Sequence, residues 1–376
     1  MNTVSVVGDR SDFIKIAPLA RAFERRSQAG ALLQHTIIHT GQHSDGVAPE
    51  AMLSEGELPR AQLTLGVGPA RDGSQTAAML AKLEDVLLAL DPDLLVVYGD
   101  TNSTVAGALA GTKLRIPVAH VGAGLRTFSR RTPEDINRTA ADHICDLLLA
   151  PSPTAMKNLA AEGLAPRAVF TGDIMYDAVL SYRPLAAQRS TIGQRLGLQT
   201  HGYALAAMHR ADNGAEPGRL RNLIGALRDA ADTLLPVVLP VHPLAAQRVR
   251  SDLRDCKLHP RLLIIDPLGY LDTLRLIDHA AMVLTDSGEL QQEAFFLGCP
   301  CVTLRDETEW VETVEAGGNM LVGTDSARML VAMERWQRYR RREDGTFSQV
   351  ASKLFGNGDA AERILHALLQ LIERNA

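Results

Sequence analysis

Short apolar runs of strand length recur along this chain, and the stretches between them are amphipathic and long enough for helices. That alternation is the pattern of repeated βα units, and it restricts the fold to parallel sheets flanked by helices. The first series of strands is expected at Val4–Val7, Thr36–His39, Leu94–Tyr98, Val118–Val121, Leu147–Ala150 and Val169–Thr171, with helices at Ile14–Arg26, Ser74–Leu90, Thr104–Lys113, Glu134–Cys145 and Thr154–Glu162. A second series begins at Tyr203, with strands at Ala204–Met208, Val237–Val241, Leu262–Ile265, Met282–Thr285 and Val302–Leu304. The stretch between the two series carries Pro184, Ser190 and two glycines and breaks the alternation.

A chain of 376 residues has room for two domains. The expected fold class is therefore α/β, with two Rossmann-like doubly wound domains facing a cleft. The boundaries are read as 1–180 for the first domain, 181–202 for a linker, 203–360 for the second domain and 361–376 for a closing helix.

Charge narrows the functional classes. With 39 Lys and Arg against 44 Asp and Glu, the net charge of −5 offers no general attraction for nucleic acid or an anionic membrane, so any anion must be bound locally. Asp9 and Arg10 interrupt the N-terminal apolar run before a signal-peptide core can form, and no run of about 18 apolar residues occurs elsewhere. The expected location is cytoplasmic. Cys145, Cys256, Cys299 and Cys301 lack paired metal-ligand spacing and are expected as reduced thiols, mostly in the core.

Doubly wound sheets bind ligands beyond the carboxyl ends of their strands. Those positions here hold Gly8-Asp9-Arg10, Thr40-Gly41-Gln42-His43, Gly99-Asp100-Thr101, Gly122-Ala123-Gly124-Leu125-Arg126, His209-Arg210, His242-Pro243 and Asp286-Ser287-Gly288. Any one of them could be an ordinary polar turn or helix cap; seven together point to a site. Thr285-Asp286-Ser287-Gly288 opens the helix expected at Glu289–Leu297, so it would offer a hydroxyl, free backbone N–H groups and a dipole end to a phosphate. Glu293 lies about one and two-thirds turns further on, where a carboxylate either accepts both hydroxyls of a ribose or simply faces solvent. Arg10 and Lys15 could reach the same diphosphate from the first domain.

Several segments then match one family in order. They are VYGDTNSTVAGALAGTKLRIPVAHVGAGLRTFSRRTPEDINR, HRADN, PVHP, PLGYLD, TDSGELQQEAFFLGCPCVTLRDETEW and EAGGNMLVG. From Val4 to about Leu368 the chain resembles the UDP-N-acetylglucosamine 2-epimerase family, especially the branch acting on UDP-acetamido sugars of surface polysaccharides. The resemblance implies a glycosyltransferase type B fold and a homodimer, with a UDP-sugar as substrate and no metal or nicotinamide cofactor. It also implies inversion at C2 by anti elimination of UDP to a 2-acetamidoglycal and re-addition. Carried over by position, it implies UDP binding by Arg10, Lys15, His209, Arg210, Ser287, Gly288 and Glu293. Asp100 and Glu134 become acid/base carboxylates, and His209 stands near the leaving diphosphate.

The chain departs from the family pattern at particular positions. Where the family writes His-Val-Glu, this sequence has His120-Val121-Gly122, which removes one carboxylate assigned to the chemistry. The family's Thr-Arg-Pro-Glu is here Asp9-Arg10-Ser11-Asp12, and Glu289 replaces the second glycine of Asp-Ser-Gly-Gly. Glu289 is expected as a solvated acid offsetting the helix dipole, with a carboxylate compensating for Gly122 as the sharper alternative. The glutamine-rich segment used for allosteric regulation is absent after Gln42-His43, which leaves His43 as a loop residue. Three outcomes follow for this scaffold: epimerisation of a UDP-2-acetamido sugar, hydrolysis or transfer of the sugar, or UDP-sugar binding without turnover.

Overall fold

The computed structural model describes residues 1–42, 58–129, 132–208, 217–241, 260–339 and 346–375. Contacts divide the chain into two compact units, Met1–Ala178 with Ser352–Ala376, and Val179–Ala351. Residues 352–376 thus group with the first unit, whereas the sequence reading assigned them to the second domain and a separate helix.

The first unit contains β1 (Asn2–Val7), α1 (Arg10–Gln28), β2 (Gln34–His39), β3 (Leu63–Thr64), α2 (Asp72–Leu90), β4 (Leu94–Tyr98), α3 (Asn102–Lys113), β5 (Val118–Val121), α4 (Pro133–Ile144), β6 (Leu147–Ala150), α5 (Pro153–Ala161) and β7 (Ala168–Phe170). Its sheet is seven-stranded in the order β3-β2-β1-β4-β5-β6-β7, and every pairing is parallel. β4 is buried along its whole length, as a central strand covered on both faces requires. Polar residues just beyond the strands cap the helices that follow. The Thr101 hydroxyl accepts the Thr104 N–H in a capping box, Thr132 caps α4 ahead of Pro133, and Ser152 caps α5 ahead of Pro153.

A helix α6 (Ile174–Arg189) carries the chain across the boundary between the units, and α7 (Ile192–Arg195) follows it. The second unit continues with β8 (Ala204–Ala207), α8 (Pro217–Thr233), β9 (Val237–Pro240), β10 (Leu262–Ile265), α9 (Tyr270–His279), β11 (Met282–Thr285), α10 (Gly288–Phe296), β12 (Cys301–Thr303), α11 (Val311–Glu315), β13 (Asn319–Leu321) and α12 (Ser326–Arg338). Its six strands run parallel in the order β10-β9-β8-β11-β12-β13. Leu227, Met282, Leu284, Val302, Met333 and Trp336 form part of one buried cluster against this sheet. Two helices close the described chain, α13 (Thr346–Phe355) and α14 (Ala360–Asn375).

Residues 181–202, expected as a linker, are largely helical and packed. Tyr182 is fully buried and meets Tyr270 edge to face at 5.4 Å between ring centroids, while Arg183 pairs with Asp278 and Arg195 with Asp272. Pro184 lies inside α6, where its ring forgoes one N–H bond without ending the helix. Cys145, Cys299 and Cys301 are buried and unbridged, and no helix among the described residues is long and apolar enough to cross a membrane.

Asp177, on α6, fixes the start of α14 by accepting the N–H groups of Ala360 and Ala361 at 3.2 and 2.8 Å. Burial pushes its carboxyl up to about 6, with the two N–H bonds opposing the shift. The folded state therefore keeps a proton that the unfolded chain has already lost. That contribution to stability is complete below about pH 4 and disappears as pH rises through about 6. Relative to the wild type, Asp177→Asn should accordingly gain stability between pH 4 and pH 6.5. Chemical denaturation at those pH values reads the difference, and a constant gap would contradict it.

Candidate functional site

In the first sheet, β1 lies between β2 and β4, so the chain leaves neighbouring strand ends in opposite directions. The residues at that divergence are Gly8, Asp9 and Arg10 after β1, and Gly99, Asp100 and Thr101 after β4. Asp9 caps α1 by accepting the Asp12 N–H at 3.0 Å, and Arg10 is the first residue of the helix. Lys15 stands one turn later, where its ammonium donates to Ser11 Oγ at 3.2 Å. A Cβ placed on Gly99 would lie 3.5 Å from Lys15 Nζ, so Lys15 reaches the β4 end of the same unit.

Asp100 accepts a charge-assisted hydrogen bond from Arg138, and its backbone carbonyl accepts from Asn137 Nδ2 at 3.1 Å. Both donors belong to α4, and Arg138 lies one turn after Glu134 on the same helix face. This links the two expected acid/base carboxylates through one helix: Arg138 holds Asp100, and Glu134 stands half-buried in the first turn of α4. Arg138 and Asn137 were quoted in the sequence match but given no role there. A buried polar chain supports the same region. Asn137 donates to Asn102, Asn102 to Gln75 at 2.9 Å, Gln75 to the Gln42 carbonyl, and the Ser103 hydroxyl to Gln42 Oε1 at 2.7 Å.

Beneath Gly99 lies a second network. His120 bonds Gly99 O through Nε2 and Asp142 through Nδ1, each at 2.7 Å. Asp142 also pairs with Arg126 and accepts the Gly124 N–H, and Arg126 makes a two-pronged contact with Glu162. Burial works to raise the Asp142 carboxyl, but His120, Arg126 and the Gly124 N–H together hold it below the ordinary range. Gly122 has φ of +89°, and among the described residues a Cβ there would meet only Gly99 N and Cα, at 3.9 and 4.0 Å. The described residues thus leave room for a side chain, while the backbone favours glycine.

The second sheet repeats the reversal at β8 and β11. Thr285 Oγ1 donates to the Ala207 carbonyl, which ties the two strand ends together, and accepts the Ser287 N–H at 3.0 Å. Ser287 caps α10. A Cβ on Gly288 would stand 2.5 Å from Glu309 Oε1, so only glycine allows that approach, and Glu309 is ion-paired to Arg305 at 2.9 Å. Glu293 is 4% exposed, which excludes the solvated-face alternative and leaves a buried carboxylate of the kind that needs hydrogen-bonding partners. Glu289 also departs from expectation. It is half-buried, and its carboxylate accepts the Ser287 hydroxyl at 3.0 Å, because two residues' separation at a helix start lets the side chain fold back on the cap. His209 and Arg210, with His43 and His242, lie outside the described residues.

Gly122→Ala should cost about 1 kcal/mol or more through its backbone conformation despite the open space. Urea denaturation measures this; an unchanged or raised stability would show that position 122 tolerates side chains freely.

The profile of the UDP-N-acetylglucosamine 2-epimerase family matches residues 25–369. A UDP-N-acetylglucosamine 2-epimerase homolog of Methanococcus maripaludis is 40% identical over 378 residues, covering 99% of this chain and 100% of the relative. The UDP-2,3-diacetamido-2,3-dideoxy-D-glucuronate 2-epimerase of Pseudomonas aeruginosa is 40% identical over 374 residues, with the same coverage. Among solved structures, the UDP-GlcNAc 2-epimerase of Methanocaldococcus jannaschii, in complex with UDP-GlcNAc and UDP, superposes with a TM-score of 0.88 at 36% identity, covering 98% of this chain and 100% of that one.

Proposed function

The chain belongs to the UDP-N-acetylglucosamine 2-epimerase family, and on that premise we propose that it inverts C2 of a UDP-2-acetamido sugar. The observation that carries this reading is the linkage of Asp100 to the Glu134 face of α4 through Arg138, at the strand-order reversal of the first sheet. A second feature supports it: a capped helix with a buried carboxylate, Glu293, at the matching reversal of the second sheet.

In this reading Ser287 and Gly288 at the start of α10 receive the diphosphate, joined by Arg10, Lys15, His209 and Arg210, while Glu293 accepts the ribose hydroxyls. Removing a weakly acidic C2 proton requires a positioned base, and expelling a diphosphate requires cationic or N–H donors. Asp100 and Glu134 supply the first; the arginine, lysine and histidine side chains with the helix N-terminus supply the second. As C2–H is broken, its electron pair forms the C1–C2 π bond and the C1–O pair leaves with UDP. Re-addition after protonation of the other face gives the epimer. The protein works in the cytoplasm as a homodimer. The space at Gly122 favours a second reading, hydrolysis of the sugar or its transfer to an acceptor seated there.

Incubation with UDP-2-acetamido sugars should interconvert C2 epimers without accumulating free sugar, as followed by anion-exchange chromatography. Free sugar as the main product would instead favour the second reading. Glu293→Ala should weaken UDP binding by about 1–3 kcal/mol, and unchanged affinity by calorimetry would remove Glu293 from the site. Because side-chain cations and helix N–H groups are assigned the diphosphate charge, turnover should survive EDTA; loss on chelation, restored by Mg²⁺ or Mn²⁺, would contradict this. Gly122→Glu should raise epimerisation, by up to about 10²–10⁴-fold, if the glycine merely lacks a base. A fall in native activity would show that the space itself is used.

A further inference from the structure

Inversion at C2 requires proton transfer on both faces of the carbon, so two acid/base groups must approach it. Asp100 and Glu134, both tied to α4, are assigned acid/base work from that side, and Gly122 contributes no carboxyl group where the resemblance implies one more. Gly122 and the carboxyl of Asp12 both border Gly99. Asp12 is 1% exposed, and its Oδ2 accepts the Gly8 N–H at 2.9 Å, yet Oδ1 has no hydrogen-bond partner among the described residues. A buried polar atom left this way is costly and points to a missing partner.

The direction in which Oδ1 points identifies that partner's position. A Cβ on Gly99 would lie 3.8 Å from Asp12 Oδ1, and a Cβ on Gly122 would lie 3.9 Å from Gly99 N. Gly99 is half-buried, with φ of +63°, and presents no side chain between Asp12 and whatever rests against the β4 end. The absent side chains of Gly122 and Gly99 thus open a line toward Asp12, beside Lys15 and next to Asp100.

We propose that Asp12 is a further acid/base group of the epimerisation, beside Asp100 and Glu134, reaching C2 across Gly99 in the space that Gly122 leaves open. The inference rests on the epimerase reading above. On re-addition, an oxygen of the UDP β-phosphate gives an electron pair to C1 of the 2-acetamidoglycal. The C1–C2 π pair takes the proton from Asp12 Oδ1, and Asp12 is left as a carboxylate. In the elimination direction the same carboxylate takes the C2 proton, the C–H pair becomes the π bond, and the C1–O pair departs with UDP.

The charges around Asp12 suit this role. Burial pushes its carboxyl well above the ordinary range, Asp9 and Asp100 push it the same way, and Lys15 and the Gly8 N–H oppose them. Asp12 is thus poised as a proton donor, while the Asp100 carboxylate accepts from the Arg138 guanidinium. Two carboxyl groups with divergent environments form the usual basis of an acid/base pair.

The test compares the wild type with Asp12→Asn and Asp12→Glu in D₂O, reading deuterium at C2 of a UDP-2-acetamido sugar by proton NMR. Asparagine keeps the shape and can still accept the Gly8 N–H. Asp12→Asn should bind UDP within about threefold of wild type by calorimetry while exchange falls by about 10²-fold or more. Asp12→Glu should restore at least a tenth of the rate and move the alkaline limb of the pH–rate profile. Exchange in Asp12→Asn within threefold of an active wild type would overturn the proposal and leave the epimerase reading intact. So would joint loss of UDP binding and exchange in both variants, which would mark Asp12 as structural. A wild type that exchanges no UDP-2-acetamido sugar would overturn the epimerase reading itself, and this proposal with it.

Discussion

Everything at the site depends on the single reversal of strand order in each parallel sheet. Because β1 sits between β2 and β4, and β8 between β9 and β11, the connections at those strand ends diverge. The polar residues found there serve the fold first: Asp9, Thr101 and Ser287 each cap a helix. Function is built onto groups that the topology already requires to be polar, which is why a single strand-end motif carries little information and the set carries a great deal.

Charge is distributed differently at the two reversals. In the first unit, acids dominate and are held by specific partners: Asp100 by Arg138, and Asp142 by His120, Arg126 and Gly124. In the second, Ser287 holds the carboxylate of Glu289 and Glu309 holds Arg305, so the start of α10 already carries internal hydrogen bonds. In the proposed function, a diphosphate at this helix start would exchange contacts instead of filling unused ones, and would displace the Glu289 carboxylate to claim the Ser287 hydroxyl. The departures from the family pattern at Gly122, Asp9 and Glu289 therefore change the charge balance of the site more than its framework.

The regular elements were legible because their residues have few alternatives. Leu94–Tyr98, five apolar residues in a row, can be little other than a central strand, and it is one. β3 and β13 have two and three residues, too few for a period to register. The linker reading trusted Pro184 and the glycines as breakers, whereas Tyr182 and Ile192 are buried and draw that stretch into the second unit. Site identities were likewise readable from motifs, but environments were not. Residues Leu290–Phe296 are all buried, so α10 has no single apolar face, and periodicity could not tell whether Glu293 met solvent. Arg138 was present in the matched motif, yet its contact with Asp100 spans 38 positions and exists only in the folded chain.

The account is tested most directly by a crystal structure of the chain with UDP and a 2-acetamido sugar bound. The expected density places the diphosphate at the start of α10 with the ribose on Glu293, and the sugar's C2 at the β4 end, within proton-transfer reach of Asp100. A nucleotide bound away from Ser287 and Glu293, or a sugar whose C2 faces neither Asp100 nor Gly99, would contradict it.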